Sequence, residues 1–173
     1  MKTNDAIGWI ALVIFSVVLQ VTVLDHIKLS GYINPHLLPG VLAMCKLMFN
    51  RYIHLIFSFL VGLVIDVWNS TGGLYASALS MVSFLPVQNV LGMSVLSDFK
   101  SIRSGSVEIN RYLIYLSTVY FSFFLWLYVL DNFGFRNFFT ILSKVFYSSL
   151  VSISLVFLSD VILSDNAKSK KFR

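Results

Sequence analysis

Apolar residues fall in long blocks separated by short polar breaks. Six blocks stand out, at about residues 7–24, 37–49, 53–68, 74–91, 112–130 and 141–163. None alternates with the two-residue period of a strand, and a spanning β-barrel would show alternating segments of about 10 residues. Lipid offers no partner to unpaired backbone groups, so blocks of this kind cross a membrane as helices. The pattern predicts an all-α polytopic membrane protein with about six transmembrane helices. A span needs roughly 20 residues at 1.5 Å rise. The second and third blocks are short by that measure, so they would tilt, borrow flanking residues or thin the bilayer.

Composition agrees with the blocks. Of 173 residues, 57% are hydrophobic and 12% charged, and the mean hydropathy is +0.82. A soluble domain carries about 25% charged residues. The length fits a single integral-membrane domain over residues 1–173. The net charge of +5 suggests topology rather than a nucleic-acid partner, because basic residues gather on the cytoplasmic side of membranes. With the N-terminus inside, Lys2, Arg51, Lys100, Arg103, Arg111, Lys168, Lys170, Lys171 and Arg173 are all cytoplasmic. Only Lys28 and Arg136 then lie outside, while Lys46 and Lys144 sit near span ends, where they snorkel. Both termini are therefore expected in the cytoplasm. The first block follows a single basic residue and lacks a small-x-small cleavage site, so it is read as a retained span. The longest polar connection, 93–110, suits a cytoplasmic loop with a short surface helix, and the basic tail 164–173 is expected to be disordered.

One acidic residue, Asp66, closes the third block. A carboxylate so placed costs free energy and needs a reason. Ser58, Gly62 and Asp66 lie at i, i+4 and i+8, and Gly72, Ala76 and Ser80 repeat that spacing. Small faces at this spacing let membrane helices approach closely, so the third and fourth spans are expected to form a tight hairpin. Three roles fit Asp66: it caps the fourth helix near Gly72 and Gly73, it contacts a ligand or partner, or it transfers a proton. The turn Asn69-Ser-Thr-Gly-Gly73 lacks the Lys-Ser/Thr of a phosphate loop, so its glycines are read as permitting positive φ. Asn34 is expected to cap the second span, with Pro35 in its first turn and Pro39 close behind.

Other residues carry weaker signals. His26, His36 and His54 are too scattered for a metal site and are expected at interfaces. Cys45 is alone and reads as a small buried apolar side chain. Pro86 should kink the fourth helix, with Gln88 and Asn89 beyond it. The aromatics Tyr112, Tyr115, Tyr120, Phe121, Phe123, Phe124, Trp126 and Tyr128 suggest a lipid-facing surface with interfacial anchors, or a docking face for another helix. Ser148, Ser152 and Ser159 mark a close-packing face in the sixth span. No motif places a base beside a serine and no carboxylate pair has a fixed spacing, so the residues suggest no enzyme, cofactor or metal.

Three segments carry a family resemblance: Leu19-Gln-Val-Thr-Val-Leu24, Gly31-Tyr-Ile-Asn-Pro-His-Leu-Leu38, and Phe59-Leu-Val-Gly-Leu-Val-Ile-Asp66 with Gly72-Gly-Leu-Tyr-Ala-Ser-Ala-Leu79. Over roughly residues 10–90 the chain resembles MreD, the integral-membrane protein of the bacterial rod-shape system, or elongasome. Ser58-Phe59 stands where many members have Gly-Phe, and Asn69-Ser-Thr where a shorter turn is common. The resemblance implies a non-catalytic scaffold in the cell inner membrane. It would bind a bitopic MreC-like partner and help couple MreB filaments to peptidoglycan synthesis by a RodA-type polymerase and a penicillin-binding transpeptidase, regulating cell shape. The family is also similar in architecture to the substrate-binding S components of vitamin transporters. That implies the alternative of a small-molecule binder with an outer pocket near Asp66 and Asn69.

Overall fold

The computed structural model describes residues 3–24, 34–45, 50–84, 109–132 and 138–169, with side chains over 10–24, 34–45, 50–84, 113–132 and 138–158. Those residues form six helices and no strand: α1 (Thr3–Thr22), α2 (Leu38–Cys45), α3 (Arg51–Asn69), α4 (Leu74–Phe84), α5 (Ile109–Asp131) and α6 (Phe138–Ser169). Three stretches are long and apolar enough to cross a membrane: Arg51–Asn69, Leu113–Asp131 and Phe138–Leu158. At 1.5 Å per residue the 19 residues of α3 extend about 28 Å, close to the thickness of a hydrocarbon core. Helical backbone reaches Ser169, well into the tail at 164–173. His26, Lys28, Lys46, Pro86, Gln88, Asn89, Arg136 and most of the 93–110 loop lie outside the described residues.

The tightest pairing is α3 with α4, followed by α5 with α6; α4 also packs on α5, and α2 lies among α1, α4 and α5. A close hairpin explains the first pair. Ser70 ends α3 in the left-handed region (φ 54°), and Gly72 and Gly73 follow at φ 65° and 100°. The N–H of Thr71 reaches back to the Asp66 carbonyl at 3.1 Å. Three positive φ values in four residues reverse the chain at once, and glycine adopts two of them without a Cβ penalty. At the opposite end the Arg51 guanidinium lies 4.9 Å above the Phe84 ring, tying the start of α3 to the end of α4.

The core corrects the expectation for the aromatic fifth block. Tyr115, Tyr120, Phe123, Phe124 and Tyr128 are all buried. They form a stacked column in which Phe124 lies parallel to Tyr120 and Tyr128. Only Phe121 and Trp126 point outward, while the Tyr112 side chain lies outside the described residues. The reason is topological: α5 is central, touching α2, α4 and α6. Its aromatics fill the space between helices instead of facing lipid. The outside of the bundle is apolar as well. Phe15, Val67 and Phe139 are 66%, 81% and 84% exposed. In water each large side chain left bare forfeits about 1.5–3 kcal/mol of burial; in hydrocarbon that loss vanishes.

Candidate functional site

Asp66 is buried near the end of α3, and its carboxylate faces the start of α4. Oδ1 accepts the Thr71 hydroxyl at 2.5 Å and the Tyr75 N–H at 3.0 Å, and Oδ2 accepts the Ala76 N–H at 2.7 Å. The first N–H groups of a helix have no intrahelical acceptor, and their aligned dipoles favour a negative charge there. Asp66 supplies both acceptor and charge from the neighbouring helix, one turn further into α4 than Gly72 and Gly73. One turn back along α3 lies Gly62. A Cβ built on it would stand 2.4 Å from the Ala76 Cα and 2.7 Å from the Ala76 nitrogen. One turn further back, the Ser58 hydroxyl accepts that of Ser83 at 2.7 Å.

The i, i+4, i+8 face of α3 is thus the contact with α4, and all three residues are buried. The matching face on α4 differs from the one expected. Ala76 lies at its centre, but Gly72 belongs to the turn and meets nothing within 4 Å of an added Cβ. Ser80 bonds its own helix, at the Ala76 carbonyl. Ser83, which spacing did not single out, makes the cross-helix bond. Asn69 is half-buried at the end of α3.

A second buried polar centre lies where α1 meets the lead into α2. Residues 34–37 are not helical, and α2 begins only at Leu38. The expected cap is therefore corrected: Asn34 and Pro35 precede the helix, and Pro39 is the proline in its first turn. Tertiary bonds hold the segment in place. Gln20 on α1 accepts the Leu37 N–H at 3.0 Å, donates to the Pro35 carbonyl at 3.2 Å, and donates to His36 Nδ1. The His36 N–H donates to Ser152 on α6 at 2.9 Å. The Tyr120 hydroxyl on α5 accepts the Gly40 N–H at 3.2 Å and donates to the Leu37 carbonyl at 3.3 Å. An alanine at 40 would put its Cβ 2.7 Å from that hydroxyl, so Gly40 keeps the place open.

The far end of α2 is held in the same way. His54 on α3 donates through Nε2 to the Leu42 carbonyl at 2.9 Å, and Tyr115 on α5 donates to the Ala43 carbonyl at 3.0 Å. Every residue of α2 is buried, including Cys45. At eight residues α2 is about 12 Å long, and isolated helices this short are unstable. Side chains from α1, α3, α5 and α6 supply the partners that its ends and lead lack. Tyr120→Phe removes a hydroxyl that serves two of these backbone groups, and about 1–2 kcal/mol of stability should go with it. A thermal melt in detergent checks this; an unshifted midpoint would count against the bridge.

His36 and His54 are therefore 2% and 1% exposed, inside the bundle. The His36 ring stacks on Phe124 and meets the edges of Phe123 and Tyr75. Tyr75 joins the two centres, because its N–H bonds Asp66 while its ring packs on His36. Sequence reasoning missed His36, His54, Tyr115 and Tyr120 as bonding groups. A signal existed for Gln20 and His36: each is a lone polar residue beside apolar runs, which in a bundle calls for a partner. Ser148 and Ser152 do lie at helix contacts, bonding Tyr128 at 3.0 Å and His36 at 2.9 Å; the Ser159 side chain lies outside the described residues. Among the described residues no group of three metal-ligating side chains converges. No protein-family model matches the chain, and no curated protein or solved structure matches it.

Proposed function

We propose that the chain is a membrane scaffold of the MreD type, with six spans and both termini in the cytoplasm of a bacterial cell. On this reading it holds the transmembrane helix of an MreC-like bitopic protein and links MreB filaments to the peptidoglycan synthase that sets cell shape. The observation that carries it is how the resembling segments are used. Gln20, in the first segment, is bonded to Pro35, His36 and Leu37 in the second. Gly62 and Asp66, in the third, close on Ala76. These residues spend their polarity on the ends of helices inside one bundle, which suits a rigid body that presents helix faces to partners.

The surface supports a bilayer setting. The exposed hydroxyls of Ser117, Ser143 and Ser154 bond the carbonyls one turn back in their own helices, at 2.7, 2.9 and 2.9 Å. A hydroxyl with lipid outside is satisfied in this way. The charge asymmetry of the chain supports an inside N-terminus. The test is co-expression with an MreC-like protein and purification in detergent. A stoichiometric complex is expected. A tightly bound metabolite recovered in the absence of that partner would replace the scaffold with a vitamin-transporter S component.

A further inference from the structure

The geometry points to His36 as a proton-sensitive latch: the joint between α1 and the lead into α2 holds while its imidazole is neutral and loosens when it takes up a proton. The joint is defined by one carboxamide. Gln20 Oε1 faces the Leu37 N–H, and Gln20 Nε2 faces both the Pro35 carbonyl and His36 Nδ1. A backbone N–H can only donate and a carbonyl can only accept, so these two partners fix which end of the carboxamide is nitrogen. His36 Nδ1 must then accept, and the imidazole is the neutral tautomer with its proton on Nε2.

Protonation puts an N–H on Nδ1, pointing at the donor face of Gln20. Turning the carboxamide over does not repair this. Oε1 would meet the new N–H, but Nε2 would turn toward the Leu37 N–H, and the Pro35 carbonyl would lose its donor. No orientation of Gln20 satisfies all three partners of an imidazolium. The Phe124 face attracts a cation, but that is weaker than the cost of a charge in a site where His36 is 2% exposed.

Among the described residues, the groups shown against His36 come from four helices. Gln20 on α1, Phe123 and Phe124 on α5, and Ser152 on α6 carry no charge, and Tyr75 on α4 presents the edge of its phenol ring. Asp66 on α3 reaches the cluster through the Tyr75 N–H, and its oxygens already accept three donors. The sign follows from proton counting. The unfolded imidazole binds a proton below about pH 6.5, whereas the folded joint excludes it. The unfolded state thus holds more protons in acid, and stability falls as pH falls, by up to about tenfold in the folded-to-unfolded ratio per pH unit. On the proposed topology this joint lies toward the outside of the cell, so the latch would respond to acid there. The stability test does not depend on that topology or on any partner.

The experiment melts the full chain in detergent between pH 8 and pH 5. His36→Asn keeps an acceptor for Gln20 and cannot titrate, while Gln20→Glu offers acceptors to both the Leu37 N–H and a protonated Nδ1. The wild type should lose stability below about pH 6.5, and His36→Asn should lose less, the ratio between them widening toward tenfold per pH unit. Gln20→Glu should also lose less than the wild type. His26 and His54 are common to all three proteins, so the differences isolate the Gln20–His36 joint. Parallel pH profiles for wild type and His36→Asn would overturn the latch. Should either variant fail to fold, residue-assigned ¹⁵N spectra of the wild type at pH 7 decide: a neutral His36 with its proton on Nε2 is expected, and a proton on Nδ1 overturns the proposal.

Discussion

Gly62→Ala is expected to destabilise the protein more than any other single-methyl change in the α3–α4 hairpin. The added Cβ would lie 2.4 Å from the Ala76 Cα and 2.9 Å from the Tyr75 carbonyl carbon. These are backbone atoms, so no rotamer change relieves the clash. The helices must separate by about 1 Å to restore ordinary contact. Separation stretches the bond from the Ala76 N–H to Asp66, now 2.7 Å, and the Ser83–Ser58 bond, also 2.7 Å. Overpacking costs about 1–3 kcal/mol, and each weakened bond adds about 0.5–1 kcal/mol. A total of about 2–5 kcal/mol follows. Ala76→Gly in the same chain should not rescue it, because the obstacle is the α4 backbone and not the Ala76 methyl. A thermal melt or SDS unfolding of the detergent-solubilised protein reads both. A wild-type midpoint for Gly62→Ala, or full rescue by Ala76→Gly, would refute the close backbone contact.

Asp66→Ala should rank next. It removes both acceptor oxygens at once and leaves the N–H groups of Tyr75 and Ala76, and the Thr71 hydroxyl, without their acceptor. Losing a helix cap costs about 0.5–2 kcal/mol, and a hydrogen bond to a charged group contributes about 1.5–3 kcal/mol. About 2–3 kcal/mol is expected for the alanine variant. Asp66→Asn should fall between, because its carboxamide accepts on one side but turns an NH₂ toward a donor on the other. Thr71→Val, which spares both amides, should cost the least, about 1 kcal/mol. The order Ala, Asn, Val at these sites is checked by thermal midpoints and by the yield of monodisperse protein. If Asp66→Ala melts with the wild type, and its yield with an MreC-like partner is also unchanged, the carboxylate is not a structural latch.

Particular residues show how much of this was legible in the chain. The spacing of Ser58, Gly62 and Asp66 marks a buried face, because a helix repeats every 3.6 residues and only the side toward a neighbour needs small or polar groups. The paired glycines after Thr71 mark the reversal that brings α4 back. The α4 side of the contact was misread by one turn, since spacing cannot tell where a helix starts after a turn. The second block was harder. Its length says only that it is short for a span, and the prolines suggest a cap at Asn34. The segment stays non-helical through Leu37 instead, because Gln20, Tyr120 and Ser152 take up its backbone groups, and two of these residues lie more than 80 positions away.

The order of apolar blocks and polar breaks determined by itself that the chain is helical and that long stretches of it suit a bilayer. Periodicity and desolvation cost are local properties, and both can be read without knowing what lies alongside. The same logic located the α3–α4 hairpin, whose partners are adjacent in sequence. Which side of α5 faces inward, and how an eight-residue α2 persists at the centre, were decided by tertiary structure alone. An aromatic side chain is equally at home against lipid or against another helix, so its environment depends on which helices surround it. The ends of α2 and the segment before it are satisfied by donors and acceptors from four other helices, and a hydrogen bond between distant segments leaves no periodic trace in the chain.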